Sequence, residues 1–202
     1  MKIISFEDGQ MGEVWETWRK SGIGASDIGA VMGSNPYMDE LKLWRHKNSF
    51  IDEPTLSYPM KHGMLNEDKV RNWVNKSMGL NLKSVCIEHD DYNFFKASLD
   101  GYDKAKSIIY EIKCPLSKET LNNVREEGIV PEHWAHQVQW QMFVSGLSKA
   151  FLVVYDSRKN RYTRVKVEPN EELQKEMEKK AKLFWENVCL GIQPKQDTSV
   201  PF

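Results

Sequence analysis

The chain is 202 residues long, 40% hydrophobic and 28% charged, with a formal net charge of −1. That is enough chain to bury one substantial core, in an ordinary globular composition. No apolar run nears the roughly 18 residues of a membrane span, the N-terminal MKIISFEDGQMGEVW lacks the apolar centre of a secretory signal, and a near-neutral sum argues against an all-over basic coat for nucleic acid while leaving room for a local positive groove.

Trp15, Trp18 and Arg19 predict a first helix that ends near Ser21-Gly22-Ile23-Gly24, where two glycines favour a turn. Ser26 or Asp27 can then cap a short helix through Met32. Met38, Leu41 and Trp44 recur at helical spacing and lead into a Pro- and Ser-bearing loop at Pro54–Pro59. His62 to Val74 reads as a further helix, with Val70 and Trp73 or Val74 on its apolar face. Three short strands follow, Ser84–Glu88, Phe94–Leu99 and Ile108–Lys113, the last two joined by a turn at Gly101–Lys106. After Pro115 the pattern is helical to about Glu127, and again from Glu132 to Val144. Ala150–Tyr155 and Arg161–Val167 form a hairpin about Ser157–Asn160. A closing amphipathic helix, Glu171 to Cys189, turns Leu173, Met177, Phe184 and Val188 to the core. This order predicts one domain over residues 1–202, of mixed α/β (α+β) class, with a central sheet flanked by helices. Three scattered cysteines, Cys86, Cys114 and Cys189, suit neither a disulfide framework nor a paired zinc site, so a reducing cytoplasm is the expected compartment.

The chemistry concentrates at Asp100-Gly101 and Glu111-Ile112-Lys113. Residues two apart on a strand share a face, so Glu111 and Lys113 point one way and Ile112 the other. A turn at Gly101–Lys106 would return Asp100 to the side of Glu111. Mg²⁺ binds oxygen ligands, commonly one or two carboxylates plus substrate phosphate. Asp100, Glu111 and the backbone carbonyl of Ile112 could provide them, with Lys113 placed to orient a water or stabilise developing negative charge. Mn²⁺ has the same ligand preference and can substitute. Taken alone, such a pattern is more often a solvated strand face with a surface ion pair. The apolar Ile108, Ile109, Tyr110 and Ile112 make this strand a buried one, where charged side chains need a reason.

In chain order, Gly24-Ala25-Ser26-Asp27, Gly63 with Glu67, Ser98-Leu99-Asp100-Gly101, Glu111-Ile112-Lys113-Cys114-Pro115 and Gln137-Val138-Gln139 together resemble the YqaJ-type viral recombinase family, which includes the lambda-type alkaline exonucleases of phages. The likeness runs from about Trp15 to the final helix. It implies a restriction-endonuclease-like PD-(D/E)xK core. Asp100 and Glu111 match the family's metal-binding carboxylates, Lys113 its catalytic lysine, and Glu67 a helical glutamate that completes the acidic cluster through an intervening water. Gln137 matches a glutamine kept near the scissile bond; Gln141, one helical turn on, is as readily a capping or solvent-facing residue. Arg19 and Ser26 match the part that receives a 5′-terminal phosphate, Arg19 by its fork of donors and Ser26 at a helix start whose amides favour an anion.

The implied function is a Mg²⁺-dependent exonuclease on double-stranded DNA ends, running 5′→3′ and leaving 3′ single-stranded tails for recombination. A ring-shaped trimer, a single-strand annealing protein as partner, and the cytoplasm of a bacterial host are further implications of the resemblance. Rival readings are an endonuclease or junction resolvase with the same core, a non-catalytic nucleic-acid-binding protein, and a structural protein with a coincidental motif. The scattered histidines show no zinc spacing; His136 reads as a surface residue and Cys114 as a small packed one. Trp15, Trp44, Trp73, Trp134 and Trp185 lie on apolar helix faces and are expected in the core.

Overall fold

The computed structural model describes residues 1–7, 12–51 and 56–195. Strand β1 (Lys2–Ile4) and helices α1 (Glu13–Lys20), α2 (Ile28–Val31), α3 (Glu40–Lys47) and α4 (Tyr58–Met78) come first. A three-strand run follows: β2 (Lys83–Glu88), β3 (Lys96–Asp103) and β4 (Ile108–Lys113). Helix α5 (Lys118–Asn122) runs into a π-helical turn at Asn123–Glu127, then come α6 (Glu132–Ser145), β5 (Ala150–Asp156), β6 (Arg161–Val167) and α7 (Glu171–Leu190). The six strands form one sheet in sequence order. Every neighbouring pair is antiparallel except β4 and β5, which are parallel. A parallel pair needs a crossover, and α5 and α6 supply it. The result is the mixed sheet with flanking helices that the order of elements predicts.

The two sheet faces carry different partners. On one, α6 packs over β2, β3 and β4 and is backed by α2 and α7, so that Leu99, Ile109, Val138, Trp140, Met177 and Phe184 share the largest core cluster. On the other, α4 contributes Val70 and Val74 to a second cluster with Leu82, Tyr110, Ile112 and Val153. Alternate residues of β4 therefore serve opposite cores, Ile109 one and Tyr110 and Ile112 the other. No helix among the described residues is long and apolar enough to cross a membrane.

Several boundaries differ from the sequence reading. Strand β1 went unread because three residues show too little alternation. Helix α4 starts earlier than His62, with Pro59 in its first turn, where a missing N–H costs nothing. It ends on Gly79 at φ 60°, a left-handed position that suits glycine. The expected loop at 54–59 lies partly outside the described residues, and its end belongs to this helix. The turn expected at Gly101–Lys106 is displaced, because β3 continues through Gly101 to Asp103. Gly101 marks a β-bulge instead. Lys83 pairs with Tyr102 and Val85 with Leu99, so two steps along β2 match three along β3. The extra residue falls at Asp100–Gly101, where a bulge re-aims a side chain without ending the strand. A Cβ on Gly101 would meet Leu82 Cδ1 at 3.1 Å and Tyr110 Cβ at 3.2 Å, so the packing itself calls for glycine.

The tryptophans also need correction. Of the five expected in the core only Trp44 is buried; Trp73, Trp134 and Trp185 lie half-buried at the margins of the clusters, and Trp15 joins none. The fully buried indole is Trp140, whose Nε1 donates to the carbonyl of Lys96 at 3.2 Å.

Candidate functional site

The bulge in β3 and the start of the crossover meet at one point. Gly101 pairs with Tyr110, which sets Asp100 beside Glu111. Asp100 Oδ2 accepts the backbone N–H of Ile112 at 2.8 Å. Lys113 stands two residues from Glu111 on the same face, its Nζ 2.8 Å from Glu111 Oε1. Helix α6 lies over this face and adds two glutamines. Gln137 Nε2 donates to Glu111 Oε1 at 2.7 Å, and its Oε1 accepts from Lys113 Nζ at 2.8 Å. Gln141 Nε2 donates to Glu111 Oε2 at 2.6 Å. Glu111 is thus buried and held at both oxygens, while Asp100, Lys113 and Gln137 remain half-buried and within reach of solvent.

Gln141 corrects the sequence reading, since it neither caps a helix nor faces solvent. It is 0% exposed, and its Oε1 has no hydrogen-bond partner. Its place one turn beyond Gln137 was the available signal. Arg71 was missed outright. From α4 it donates Nε to the backbone carbonyl of Asp100, NH1 to Asp68 and NH2 to Glu67. Glu67 is therefore tied to a guanidinium on its own helix, and among the described residues no three of His, Cys, Asp and Glu gather into a metal-holding group. Asp100 and Glu111 adjoin each other, and the charge of Glu67 bears on both.

The electrostatics suit a divalent cation. Burial pushes the Asp100 carboxyl well above the usual carboxylate range, and the Glu111 and Glu67 charges push it further, against the opposing pull of Lys113 and the Ile112 N–H. Burial likewise raises Glu67, with Arg71 opposing it and Glu111 adding to it. Lys113 stays protonated: burial would lower its pKa, but Glu111 and Asp100 outweigh that and raise it. Among the described residues Lys113 bridges Glu111 and Arg71 bridges Glu67, whereas no cationic side chain reaches salt-bridge distance of Asp100. Two adjoining carboxylates with one left unbalanced is a donor set that fits Mg²⁺ or Mn²⁺, which take one or two carboxylates plus water and phosphate. Cys114 is buried as expected, its thiol pushed up to about 12 by burial and then by Asp100 and Glu67, which makes it a poor nucleophile.

A cleft of about 200 Å³ opens beside this cluster, with Asp100 and Gln137 on one side and Trp15, Arg19, Ser26 and Lys96 on the other. Arg19 NH2 donates to Ser26 Oγ at 2.9 Å, and the guanidinium carbon lies 5.3 Å from the centre of the Trp15 ring. The fold therefore brings Arg19 and Ser26 together in a cleft that Asp100 also lines. The reason given for Ser26 needs correcting, because α2 begins at Ile28, with Asp27 and not Ser26 at its N-cap. Asp27 is buried and ionised. Burial would raise its pKa, but Lys47 at 2.7 Å and Arg19 outweigh that and lower it. Asp27 makes no side-chain capping bond to α2; its Oδ2 accepts from the N–H of Gly24 and from Lys47. His136, expected at the surface, is buried against Ser34 Oγ at 2.7 Å.

Comparison with known proteins places the chain among relatives. The YqaJ-like viral recombinase domain profile matches residues 14–148. The uncharacterized protein YqaJ of Bacillus subtilis strain 168 is 29% identical over 184 residues, which cover 89% of this chain and 57% of that protein. The chain thus spans a little over half the length of that curated relative. Among solved structures, LHK-Exo in complex with dAMP superposes with a TM-score of 0.76 at 23% identity, over 90% of this chain and 94% of that one. The same alkaline exonuclease from Laribacter hongkongensis, solved separately, gives a TM-score of 0.73 at 23% identity, over 88% and 94%. A phage-related exonuclease from Haemophilus somnus 129PT gives 0.60 at 15% identity, over 85% and 96%. At these identities the structures establish a shared PD-(D/E)xK-type fold.

Proposed function

Because the chain belongs to the YqaJ-like viral recombinase domain family, we propose that its single domain is a divalent-metal-dependent deoxyribonuclease acting on the ends of double-stranded DNA. The observation that carries this reading is the half-exposed Asp100, without a cationic partner among the described residues, set between the Glu111–Lys113–Gln137 network and a cleft walled by Arg19 and Ser26. That the structures sharing its fold include an alkaline exonuclease and a phage-related exonuclease supports it.

Asp100 and Glu111, with the Ile112 carbonyl beside them, would hold the metal. Mg²⁺ there, or Mn²⁺ in its place, would supply charge neutralisation at the phosphodiester and activation of the attacking water. The protein's own groups do the remaining work. Lys113, fixed by Glu111 and Gln137, presents a permanent ammonium to the phosphoryl oxygens, where developing negative charge is stabilised without reorganisation. Gln137 and Gln141 fix both oxygens of Glu111, and Glu67 with Arg71 braces the Asp100 backbone. Arg19 and Ser26 offer donors to a 5′-terminal phosphate, which sets polarity as 5′→3′ and leaves a 3′ tail. A ring-shaped homotrimer and a single-strand annealing partner in a bacterial cytoplasm complete the proposal.

The test is digestion of linear against covalently closed circular duplex DNA, with Mg²⁺ or with EDTA, beside the Lys113→Ala protein. Loss of the linear DNA alone, dependent on Mg²⁺ and on Lys113, is expected. Cutting of the circle would move the assignment to an endonuclease or junction resolvase. Digestion of neither would leave a binding role.

A further inference from the structure

The C-terminal end of α1 is gripped from two sides by buried lysines. From β3, Lys96 Nζ donates to the carbonyl of Trp18 at 2.6 Å and to Ser21 Oγ at 2.7 Å. From α3, Lys47 Nζ donates to the carbonyl of Arg19 at 3.1 Å. Their side chains are only 4% and 1% exposed. Each is balanced by its own carboxylate, Lys96 by Glu88 at 3.9 Å and Lys47 by Asp27 at 2.7 Å. Glu88 also accepts from Trp18 Nε1 at 2.8 Å, and Asp27 from the N–H of Gly24 at 2.9 Å.

Carbonyls at a helix end need partners, and a cation is favoured there. Water or a surface lysine would suffice for that. Burying two ammonium groups costs desolvation that a buried pair rarely returns as net stability, so such pairs are weak evidence for a stabilising role. What this pair achieves is geometrical. The Lys47–Asp27 bridge joins the backbone of Arg19 directly to the backbone of the Gly24–Asp27 turn, which carries Ser26. Lys96 holds Trp18 and Ser21, on either side of Arg19, to the sheet strand that bears Asp100. Two donors on separate segments are thus fixed relative to each other and to the carboxylates.

We infer that Lys47 and Lys96 are positioning residues for DNA-end recognition, which fix Arg19 and Ser26 where a 5′-terminal phosphate is read. The inference rests on the 5′-phosphate reading of the cleft proposed above. A donor pair held in place before binding loses little entropy on binding, so the clamp acts on affinity for the phosphorylated end.

The experiment compares kcat/KM on duplexes bearing a 5′-phosphate or a 5′-hydroxyl for the wild type, Lys47→Met and Lys96→Met. Because Lys47→Met strands a buried carboxylate and can fail to fold, the charge-neutral Asp27→Asn/Lys47→Met protein is measured beside it, with thermal melting of each. The expected result is a wild-type preference for the phosphate that falls about tenfold or more in the variants, chiefly through KM, as for a misplaced charge-assisted hydrogen bond. Folded variants that keep the wild-type ratio, even with both rates lowered together, overturn the inference and leave the cleft reading intact. A wild type indifferent to the phosphate overturns the cleft reading, and the clamp's role with it.

Discussion

At the scale of single residues, the site carries a conflict between stability and chemistry that centres on Asp100. Its carboxyl holds a proton more tightly in the folded chain than in the unfolded one. The associated stability is fully present below the ordinary aspartate value and is lost as pH rises through the elevated folded one. At alkaline pH without metal, the charged Asp100 therefore opposes folding. Asp100→Asn keeps an acceptor for the Ile112 N–H and removes the charge. It should raise the Tm of the metal-free protein at pH 8, by about 2–4 °C for each kcal/mol recovered in a chain this size, while abolishing nuclease activity. Added Mg²⁺ should raise the wild-type Tm and leave that of Asp100→Asn unmoved. A variant that melts lower than the wild type in EDTA would contradict the assignment of this charge as unbalanced. The conflict was half legible in the sequence: Asp100, Glu111, Lys113 and Gln137 could be named from motif and strand parity. Arg71 could not, and Gln141 could be named but not given its role, because what makes each matter is a partner from another element, the Asp100 carbonyl for one and the buried Glu111 for the other.

Among the elements, β3 shows where local signals mislead. A glycine after an aspartate reads as a turn, yet here it permits a bulge in a strand that runs three residues further than a turn at Gly101 would allow. The cue was read as a turn, whereas its kind depends on Leu82 and Tyr110, which press on Gly101 from the chain leading into β2 and from β4. Gly101→Val should therefore cost about 1–3 kcal/mol, the usual range for overpacking a filled site, read as a lowered urea midpoint with an unchanged m-value. It should also reduce nuclease activity by more than the loss of folded protein, because Asp100 is aimed by the same bulge. A variant of wild-type stability would show that the contacts at Gly101 relax freely. Longer elements were easier to read. The strand β4 and the helix α7 declare themselves by parity and by apolar periodicity, whereas the three residues of β1 and the first turn of α4 depend on contacts that no local pattern encodes.

For the whole molecule, a formal charge of −1 argues against an all-over basic coat and leaves room for a local positive groove. The proposed ring would add retention on DNA by enclosure. Sedimentation equilibrium should then give a mass three times that of the chain, and a monomer at micromolar concentration would remove the ring from the proposal. The one parallel junction in the sheet has a consequence of its own. Gln137 and Gln141 reach Glu111 only through the crossover from β4 to β5, so both amides that restrain this carboxylate lie 26 and 30 positions downstream of it. In a chain that stops short of α6, Glu111 would lack both amides that fix its oxygens, so the proposed cutting centre would be completed only when the later half docks.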